Sequence, residues 1–300
     1  MQNRATASHF QPFVSRLSHF NHCSADFPSL STQTAMRTRT ILRINLIVAC
    51  VLPVLLFALA PTAACADLMA GVAKVDITDR EFGPVNDPLY VKALVLKSGT
   101  TWSVIVTVDA VAIGEIGRIG NDYLPKVRSE IERELGIPQT SVMINASHCH
   151  GVVRKDADQL TIKAVKQAAG SMVPVHVGAG RGHEDRIMEN RRLIMKDGRE
   201  IDVRHAYSMP PDDQVASIGP VDPEIGVLRI DHTDGRPLAV LYNFACHPIQ
   251  GVPSKANTAD ITGFASKVIE DNLGEGVMAL FIQGCGGDIN PVFYKDVDHP

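Results

Sequence analysis

Two histidines separated by one residue are the first feature of this sequence that points to chemistry. His148 and His150 flank Cys149 and follow an apolar segment at 141–145. If the chain is extended there, side chains at positions i and i+2 point the same way and can converge on one ion or substrate. Neutral imidazole suits zinc. On spacing alone, however, a solvated pair of loop histidines is the better explanation.

Two more motifs also follow apolar segments. The first, 243–248, contains His247 and ends in a proline that prevents simple continuation of a central strand, although such a histidine can also be an ordinary core or turn residue. The second, 283–291, is rich in glycines that permit close backbone approach, and it carries Asp288 and Asn290. It lacks the Lys-Ser/Thr ending of a phosphate-binding loop, so that interpretation is disfavoured. All three motifs stand at the ends of predicted strands, where scaffolds often present functional groups.

The elements that must position these motifs alternate along the chain from Met69. Period-two and β-branched patterns predict strands at 70–78, 91–96, 103–108, 141–145, 173–177, 225–230, 237–244 and 277–282. Helical spacing and terminal glycines predict helices at 116–135, 158–169 and 262–273. We therefore predict an α/β or α+β fold in which a mixed β-sheet core is layered with helices and the candidate ligands lie at strand ends.

The middle of the chain, 178–223, is rich in charge, glycine and proline and poor in regular pattern. We predict long loops there, with a small hairpin around 193–195 that turns at Asp197-Gly198. Loops of this length usually serve a site or a lid. No internal repeat or clear linker divides the sequence, so we treat 67–300 as one domain.

The N-terminal part of the sequence carries a pattern typical of a signal peptide. An apolar run at 44–60 follows three arginines and is short for a membrane span. The small residues at 64–66 fit the pattern of a cleavage site. We predict a signal peptide at 36–66, cleavage before Asp67, and export to the periplasm or the extracellular space.

Two alternatives to simple cleavage are a retained membrane anchor and a lipoprotein attached through Cys65. Both are less favoured, because the apolar run is short and Thr62 stands where a lipoprotein signal usually carries an aliphatic residue. Residues 1–35 have no periodic apolar pattern and precede the positive region, as expected if translation starts at Met36. We therefore treat 1–35 as a mis-assigned N-terminal extension.

Composition and charge limit the class of protein and of partner. The 300 residues are 45% hydrophobic and 21% charged, as in globular proteins large enough for an enzyme domain. The net charge is -4 and the basic residues form no stripe, so a nucleic acid is not an expected partner. We expect a small-molecule or lipid substrate. Aromatic residues, at 5%, offer no obvious surface for gripping lipid, and the sequence leaves peripheral membrane contact and oligomeric state open.

Cysteine usage argues against a disulfide framework in the exported chain. Three of the six cysteines precede the predicted cleavage site, which leaves Cys149, Cys246 and Cys285. Three cysteines cannot all pair with one another. We favour small buried apolar residues packed near a site over thiolate ligands or a redox pair.

From about Ala70 to its end, the chain resembles the N-terminal catalytic domain of neutral/alkaline non-lysosomal ceramidases. The resemblance rests on four motifs in the same order, at 71–78, 145–151, 243–248 and 287–291. It implies that 67–300 is the N-terminal part of such a catalytic domain and that the chain is a fragment of a longer protein.

The resemblance also implies roles for individual residues. His148 and His247 would bind zinc, and His150 would contact the substrate amide or the oxyanion of the reaction. Arg191, like its neighbour Arg192, matches an Asn-Arg segment near the family's site, although either could equally be a solvated loop charge. The two remaining ligands of the family, a glutamate and a tyrosine, lie beyond Pro300, so the zinc site in this sequence would be incomplete.

One position departs from the family pattern. The ceramidase motif reads Gly-Asp-Val-Ser-Pro, with serine as the nucleophile, whereas this chain has Gly287-Asp288-Ile289-Asn290-Pro291. An amide side chain cannot act as an alkoxide nucleophile. We therefore expect an exported zinc hydrolase that uses a metal-activated water to cleave an amide bond of an N-acyl compound such as ceramide. The alternatives are a catalytically silent metal-binding module and a hydrolase of another substrate class.

Overall fold

A computed structural model describes residues 67–203, 209–251 and 255–292. The predicted signal peptide at 36–66, the extension at 1–35 and the first three cysteines lie outside the described residues, so the predictions about them are unchanged. No helix in the described ranges is long and apolar enough to cross a membrane.

Thirteen strands and three α-helices form the described part of the chain, together with two short 3₁₀ turns. The strands are β1 (Leu68–Asp76), β2 (Tyr90–Ser98), β3 (Thr101–Val108), β4 (Val142–Ala146), β5 (Val173–His183), β6 (Met188–Asn190), β7 (Arg192–Met195), β8 (Glu200–Asp202), β9 (Val215–Ile218), β10 (Glu224–His232), β11 (Pro237–Phe244), β12 (Met278–Gln283) and β13 (Ile289–Pro291). The helices are α1 (Tyr123–Leu135), α2 (Ala157–Gly170) and α3 (Asp260–Leu273). The predicted mixed α/β fold is confirmed.

The first predicted helix was wrong at its start. It was expected at 116–135 but begins at Tyr123. Glu115 and Gly117, which precede Tyr123, have positive φ angles of 65° and 83°, and a right-handed helix does not allow such angles. The other two helices lie close to their predicted positions. The hairpin predicted around 193–195 is also present, as β7 and β8 joined through Gly198 at φ 85°. The long loops predicted for the rest of 178–223 were wrong in part, because β5 continues to His183 and β6 and β9 also lie in this segment, where backbone pairing with other strands forms structure that the local pattern does not show.

The main sheet has eight strands in the order β12-β11-β10-β5-β1-β2-β3-β4. It is mixed, since β3 and β4 run parallel, as do β11 and β12, while the other neighbours are antiparallel. One half of the sheet contains β1–β4, and the other contains β5, β10, β11 and β12. Among the described residues, backbone pairing between the halves occurs at the start of β5, where Val173 and Pro174 pair with β1 before the rest of the strand pairs with β10. This narrow joint allows the two halves to pack face to face.

Alternate residues of β2 divide the interior between two cores. Ala93 and Val95 belong to a core completed by α1 and α2, whereas Leu94 points the other way and packs with Ile230 of β10 and Leu280 of β12. Side chains alternate across a strand, so one strand can serve both cores. The first half of the sheet therefore lies between two helices and the second half of the sheet.

A third core covers the outer face of the second half. Tyr242 and Phe244 of β11 and Phe281 of β12 pack there against Ile261 and Ile269 of α3. The result is four layers, with helices outside and the two sheet halves inside.

Polar side chains connect β4 to β12, although the two strands stand at opposite ends of the strand order. The Asn145 Nδ2 atom donates to Phe281 O (3.0 Å), and Asn145 Oδ1 accepts from Gln283 N (3.1 Å). Thr107 Oγ1 also donates to Phe281 O (2.8 Å). These bonds satisfy backbone groups that an edge strand would otherwise leave unpaired. They bring the ends of β4, β11 and β12 to one place.

Candidate metal centre

Three histidines from two distant parts of the sequence converge where these strands end. His148 and His150 follow β4, and His247 follows β11. The Nε2 atoms of His150 and His247 lie 3.3 Å apart, and one ring nitrogen from each of the three residues lies within 4.8 Å of the others. The ring centroids of His148 and His247 are 4.4 Å apart. The three imidazoles form a group that can hold a metal ion.

His148 is held in a left-handed backbone conformation, with φ 66°. Its backbone N–H donates to Ala110 O (3.0 Å), and its ring Nδ1 lies 2.5 Å from Val111 O. A carbonyl oxygen can only accept, so this hydrogen bond requires a proton on Nδ1 and leaves Nε2 as the nitrogen that can bind a metal ion. This second hydrogen bond is the arrangement that commonly orients a metal-binding histidine.

His247 is positioned by the segment that contains the glycine-rich motif. Its backbone N–H donates to Ile289 O (2.7 Å), and Gln283 Nε2 donates to the neighbouring Cys246 O (3.2 Å). Burial, followed by the nearby His148 and His150, lowers the pKa of His247 to about 4. The imidazole is therefore neutral at pH 7, which is the form that binds a metal ion.

His150 is the exposed member of the group, whereas the other two histidines are half-buried. Partial burial and then His148 lower the pKa of the His150 imidazole, and the Asp260 carboxyl acts in the opposite direction. His150 thus lies on the solvent side of the group, and a buried acid lies near it.

The donor set and its spacing fit zinc. With Zn–N distances of 2.0–2.1 Å and tetrahedral angles, two ligand nitrogens are separated by about 3.4 Å. One ring nitrogen from each of the three histidines lies within 4.8 Å of the others, and the closest printed pair, Nε2 of His150 and of His247, is 3.3 Å apart, so any two of the three rings are near enough to approach one ion. Three neutral imidazoles are also a ligand set that zinc accepts in proteins.

The other predicted site residues lie along the segments that pack behind His247. Asn290 is fully buried in β13, and neither of its amide atoms has a hydrogen-bond partner among the described residues. The Arg191 Nε lies 3.0 Å from Asp202 Oδ1, and the positive charge of Arg191 contributes to the lowered pKa of His247. Asp288 instead forms an ion pair with Arg192 (3.1 Å) at the edge of a surface cleft. Arg191 and Asn290 are therefore near the histidines, while the Asp288 carboxyl is engaged elsewhere.

Buried polar side-chain atoms without a hydrogen-bond partner gather around this group. Within the described ranges, they belong to residues on the segments that carry the histidines or on segments that pack behind them: Ser147, His247, Gln250, Gln283 and Asn290. Arg191 Nε also lacks hydrogen-bond geometry, but it is ion-paired with Asp202. In native proteins such atoms are usually satisfied by water or a bound group. These atoms leave polar groups beside the three histidines that water or a bound group can satisfy.

The cysteine prediction is confirmed for two residues and wrong for one. Cys149 and Cys246 are buried, and burial raises the pKa of the Cys246 thiol to about 12. Neither thiol is therefore a thiolate at neutral pH. Cys285 is exposed in the glycine-rich loop and does not pack in a core.

Sequence reasoning missed two polar residues that stand just before or at the start of α3. Asn257 and Asp260 are both buried, and the helix had been expected to begin only at 262. The polar run 257–260 ahead of an apolar periodic segment is the usual signal of a helix start and could have identified them.

Two solved structures are similar to this chain. A ceramidase complexed with C2 matches 75% of this chain and 39% of its own length, with a TM-score of 0.61 and 18% sequence identity. The neutral ceramidase from Pseudomonas aeruginosa matches 78% of this chain and 41% of its own length, with the same TM-score and identity.

This chain therefore spans about two fifths of the length of the solved proteins that it matches. No protein-family model matches the chain, and no curated protein does. At 18% identity the similarity shows the fold alone. The described chain has a ceramidase-like fold.

Proposed function

We propose that this chain is part of a zinc-dependent hydrolase that cleaves the amide bond of an N-acyl compound, with ceramide as one candidate substrate. The observation that carries the proposal is the convergence of His148, His150 and His247 at the ends of strands. The likeness in fold to ceramidase structures supports the choice of reaction.

In this proposal His148 and His247 hold the zinc, because they are the two half-buried members of the group and their rings are the closest pair. His150, on the solvent side, contacts the substrate amide or the developing oxyanion. Arg191 adds a positive charge near His247 that favours negative charge on the substrate oxygen. Zinc, when bound, polarises the scissile carbonyl and lowers the pKa of a coordinated water.

Water is the nucleophile in this proposal, because Asn290 has no hydroxyl. The water oxygen adds to the carbonyl carbon, and the C–N bond then breaks. The nitrogen leaves as an amine carrying a proton that came from the water, and the acyl group leaves as a carboxylic acid. In this proposal His150 donates a hydrogen bond to the oxygen that becomes negative during this addition.

A catalytically silent metal-binding module is the second candidate. The observation that favours it is Asn290, which replaces the family's serine and is fully buried. A silent module would still hold zinc through the same histidines. It would hydrolyse no N-acyl compound.

We also propose that the protein is exported through a signal peptide at 36–66. The sequence pattern of three arginines, an apolar run and small residues supports this. N-terminal sequencing of the mature protein should give a chain that begins at Asp67. A mature protein that retains residues 36–66 would contradict export by cleavage.

Zinc-dependent hydrolysis can be measured on the purified full-length protein with a short-chain fluorescent ceramide and other N-acyl compounds. We expect cleavage that a chelator abolishes and added zinc restores. His148→Ala should be inactive both with the chelator and with added zinc, because it lacks one of the protein ligands of the metal. Zinc binding without cleavage of any N-acyl compound would favour the silent module, and cleavage that persists in the chelator would contradict the proposal.

A further inference from the structure

The start of α3 lies between the two loops that carry the histidines. The run 257–260 contacts the loop after His247 on one side and the loop after His150 on the other. All four of its residues are buried. We call the segment after His150 and the segment after His247 the histidine loops. Asp260, the first residue of α3, belongs to neither loop but contacts the one that follows His247.

Asp260 fixes the loop that follows His247. Its Oδ2 accepts the backbone N–H of Gly251 (2.7 Å), and its Oδ1 accepts the backbone N–H of Ile261 (2.6 Å). The loop approaches closely, because a Cβ on Gly251 would lie 2.5 Å from Thr258 Cγ2 and 3.3 Å from Asp260 Oδ2. Both carboxylate oxygens are therefore used, one for the loop and one for the helix.

The adjacent residues fix the loop that follows His150. Asn257 Oδ1 accepts the backbone N–H of Val152 (2.6 Å), and Asn257 Nδ2 donates to Val152 O (2.9 Å). Gly151, next to His150, approaches so closely that a Cβ there would lie 2.8 Å from Thr258 O. One short run of backbone is thus in contact with both histidine loops.

The backbone of Asp260 adopts an unfavourable conformation for a residue with a side chain. Its φ is 59°, in the left-handed region, and its exposure is 3%. Its own N–H donates to Thr258 Oγ1 (2.9 Å), which helps to hold this conformation. Such conformations persist where the surroundings impose them, and they cluster at functional sites. The Asp260 carboxyl also lies close enough to His150 to influence its imidazole electrostatically.

We propose that Asp260 is a positioning residue for the metal centre, which sets the position of His247 relative to the loop that carries His148 and His150 by tying the Gly251 loop to the start of α3. The inference rests on the proposed zinc site but not on the substrate or the reaction. A positioning residue behind metal-binding histidines typically changes metal affinity by about 10- to 100-fold when it is replaced.

Two variants test Asp260, and a third serves as a matched control. Asp260→Asn keeps the shape but offers one acceptor oxygen where two N–H groups need one each. Asp260→Gly removes the carboxyl while accepting the positive φ without strain. The control Thr262→Ala removes a buried hydroxyl in the first turn of the same helix, where its hydrogen bond goes to Ala259 O (2.8 Å) and not to a histidine loop.

Zinc dissociation constants are measured by competition with a chromophoric chelator on proteins that remain folded, with the thermal midpoint recorded for each. We expect both Asp260 variants to bind zinc about 10- to 100-fold more weakly than the wild type. Thr262→Ala should lower the thermal midpoint without changing the dissociation constant. If the folded Asp260 variants bind zinc as tightly as the wild type, Asp260 has only a structural role and the inference is overturned.

Long-range ¹H–¹⁵N spectra of the imidazole rings give a readout that needs no metal. In the metal-free protein we expect the His150 and His247 signals to move in both Asp260 variants and to stay in place in Thr262→Ala. A wild type that binds no zinc would end the proposed function, and these spectra would still decide whether Asp260 positions the two rings. Unmoved signals in the Asp260 variants would contradict the positioning role.

Discussion

The Nε2 atoms of His150 and His247 lie 3.3 Å apart, although 97 positions separate the two residues in the sequence. The contact depends on how the sheet halves pack, since His150 follows β4 and His247 follows β11. Two neutral imidazole nitrogens at this distance either share one proton in a hydrogen bond or face a common cation. In the proposed site His247 faces the zinc, and His150 stands beside it, where it can reach a group bound to the ion.

His150→Ala should leave zinc in place and lower turnover. The reason is that His150 is the exposed histidine, on the side from which a substrate would approach. Zinc content by atomic emission and initial rates with an N-acyl substrate would be measured on the same preparation. A loss of zinc equal to that in His247→Ala would instead make His150 a third ligand.

Asn145→Ala should destabilise the protein, because Asn145 makes two hydrogen bonds between β4 and the backbone of β12. At about 0.5–1.5 kcal/mol for each bond, the free energy of unfolding should fall by about 1–3 kcal/mol. Urea denaturation would measure the change.

Asn243→Ala is the matched control for that measurement. Asn243 also donates to the backbone of β12, at Ile282 O (2.9 Å), but it is exposed and lies on the neighbouring strand β11. Its replacement should have the smaller effect. If the free energy of unfolding falls equally in the two variants, the hydrogen bonds between the sheet halves stabilise the protein no more than an exposed bond within one half does.

The order of elements could be predicted from sequence because it depends on local patterns. The partial alternation in β1 and the glycine that ends α1 are examples of signals within a few residues. The start of α1 was missed because Gly117 adopts a positive φ that apolar spacing does not reveal. The strand order and the packing of the two sheet halves depend on contacts between distant residues, such as Asn145 with Phe281, and no local pattern encodes them.

The same limit applies to the metal centre. His148, His150 and His247 could be singled out by residue type and by their position after strands, and the structure places them together. The residues that hold these histidines could not be identified from the sequence, because Val111 contributes only its carbonyl oxygen and Asp260 acts through the backbone of Gly251. The burial of Asn290 was also not foreseen, since its motif was expected to present polar groups at the strand edge.

Asn290→Ala should lower turnover by about 10²–10³-fold without abolishing it, the usual cost of removing a group that supports the oxyanion or orients the water. Asn290 lies next to Ile289, whose carbonyl accepts the His247 N–H, so its loss should act on the same centre. The wild type should show no burst phase and no trapped acyl adduct, because no hydroxyl stands at this position.

Asn290→Ser is the comparison for that prediction. It restores the hydroxyl of the ceramidase motif and should raise hydrolysis of a short-chain fluorescent ceramide. Pre-steady-state kinetics would detect a burst in this variant alone. A burst and an acyl adduct in the wild type would rule out water as the attacking group.

The zinc content of His148→Ala and His247→Ala shows whether these two histidines bind the metal. Each variant removes one of the few protein ligands, so zinc bound per chain should fall sharply relative to the wild type. His176→Ala is the control, because His176 is exposed in β5 and lies outside the group. We expect normal zinc content in His176→Ala and a marked loss of zinc in His148→Ala and in His247→Ala. Unchanged zinc content in both His148→Ala and His247→Ala would remove these histidines from the metal centre and contradict the proposed zinc site.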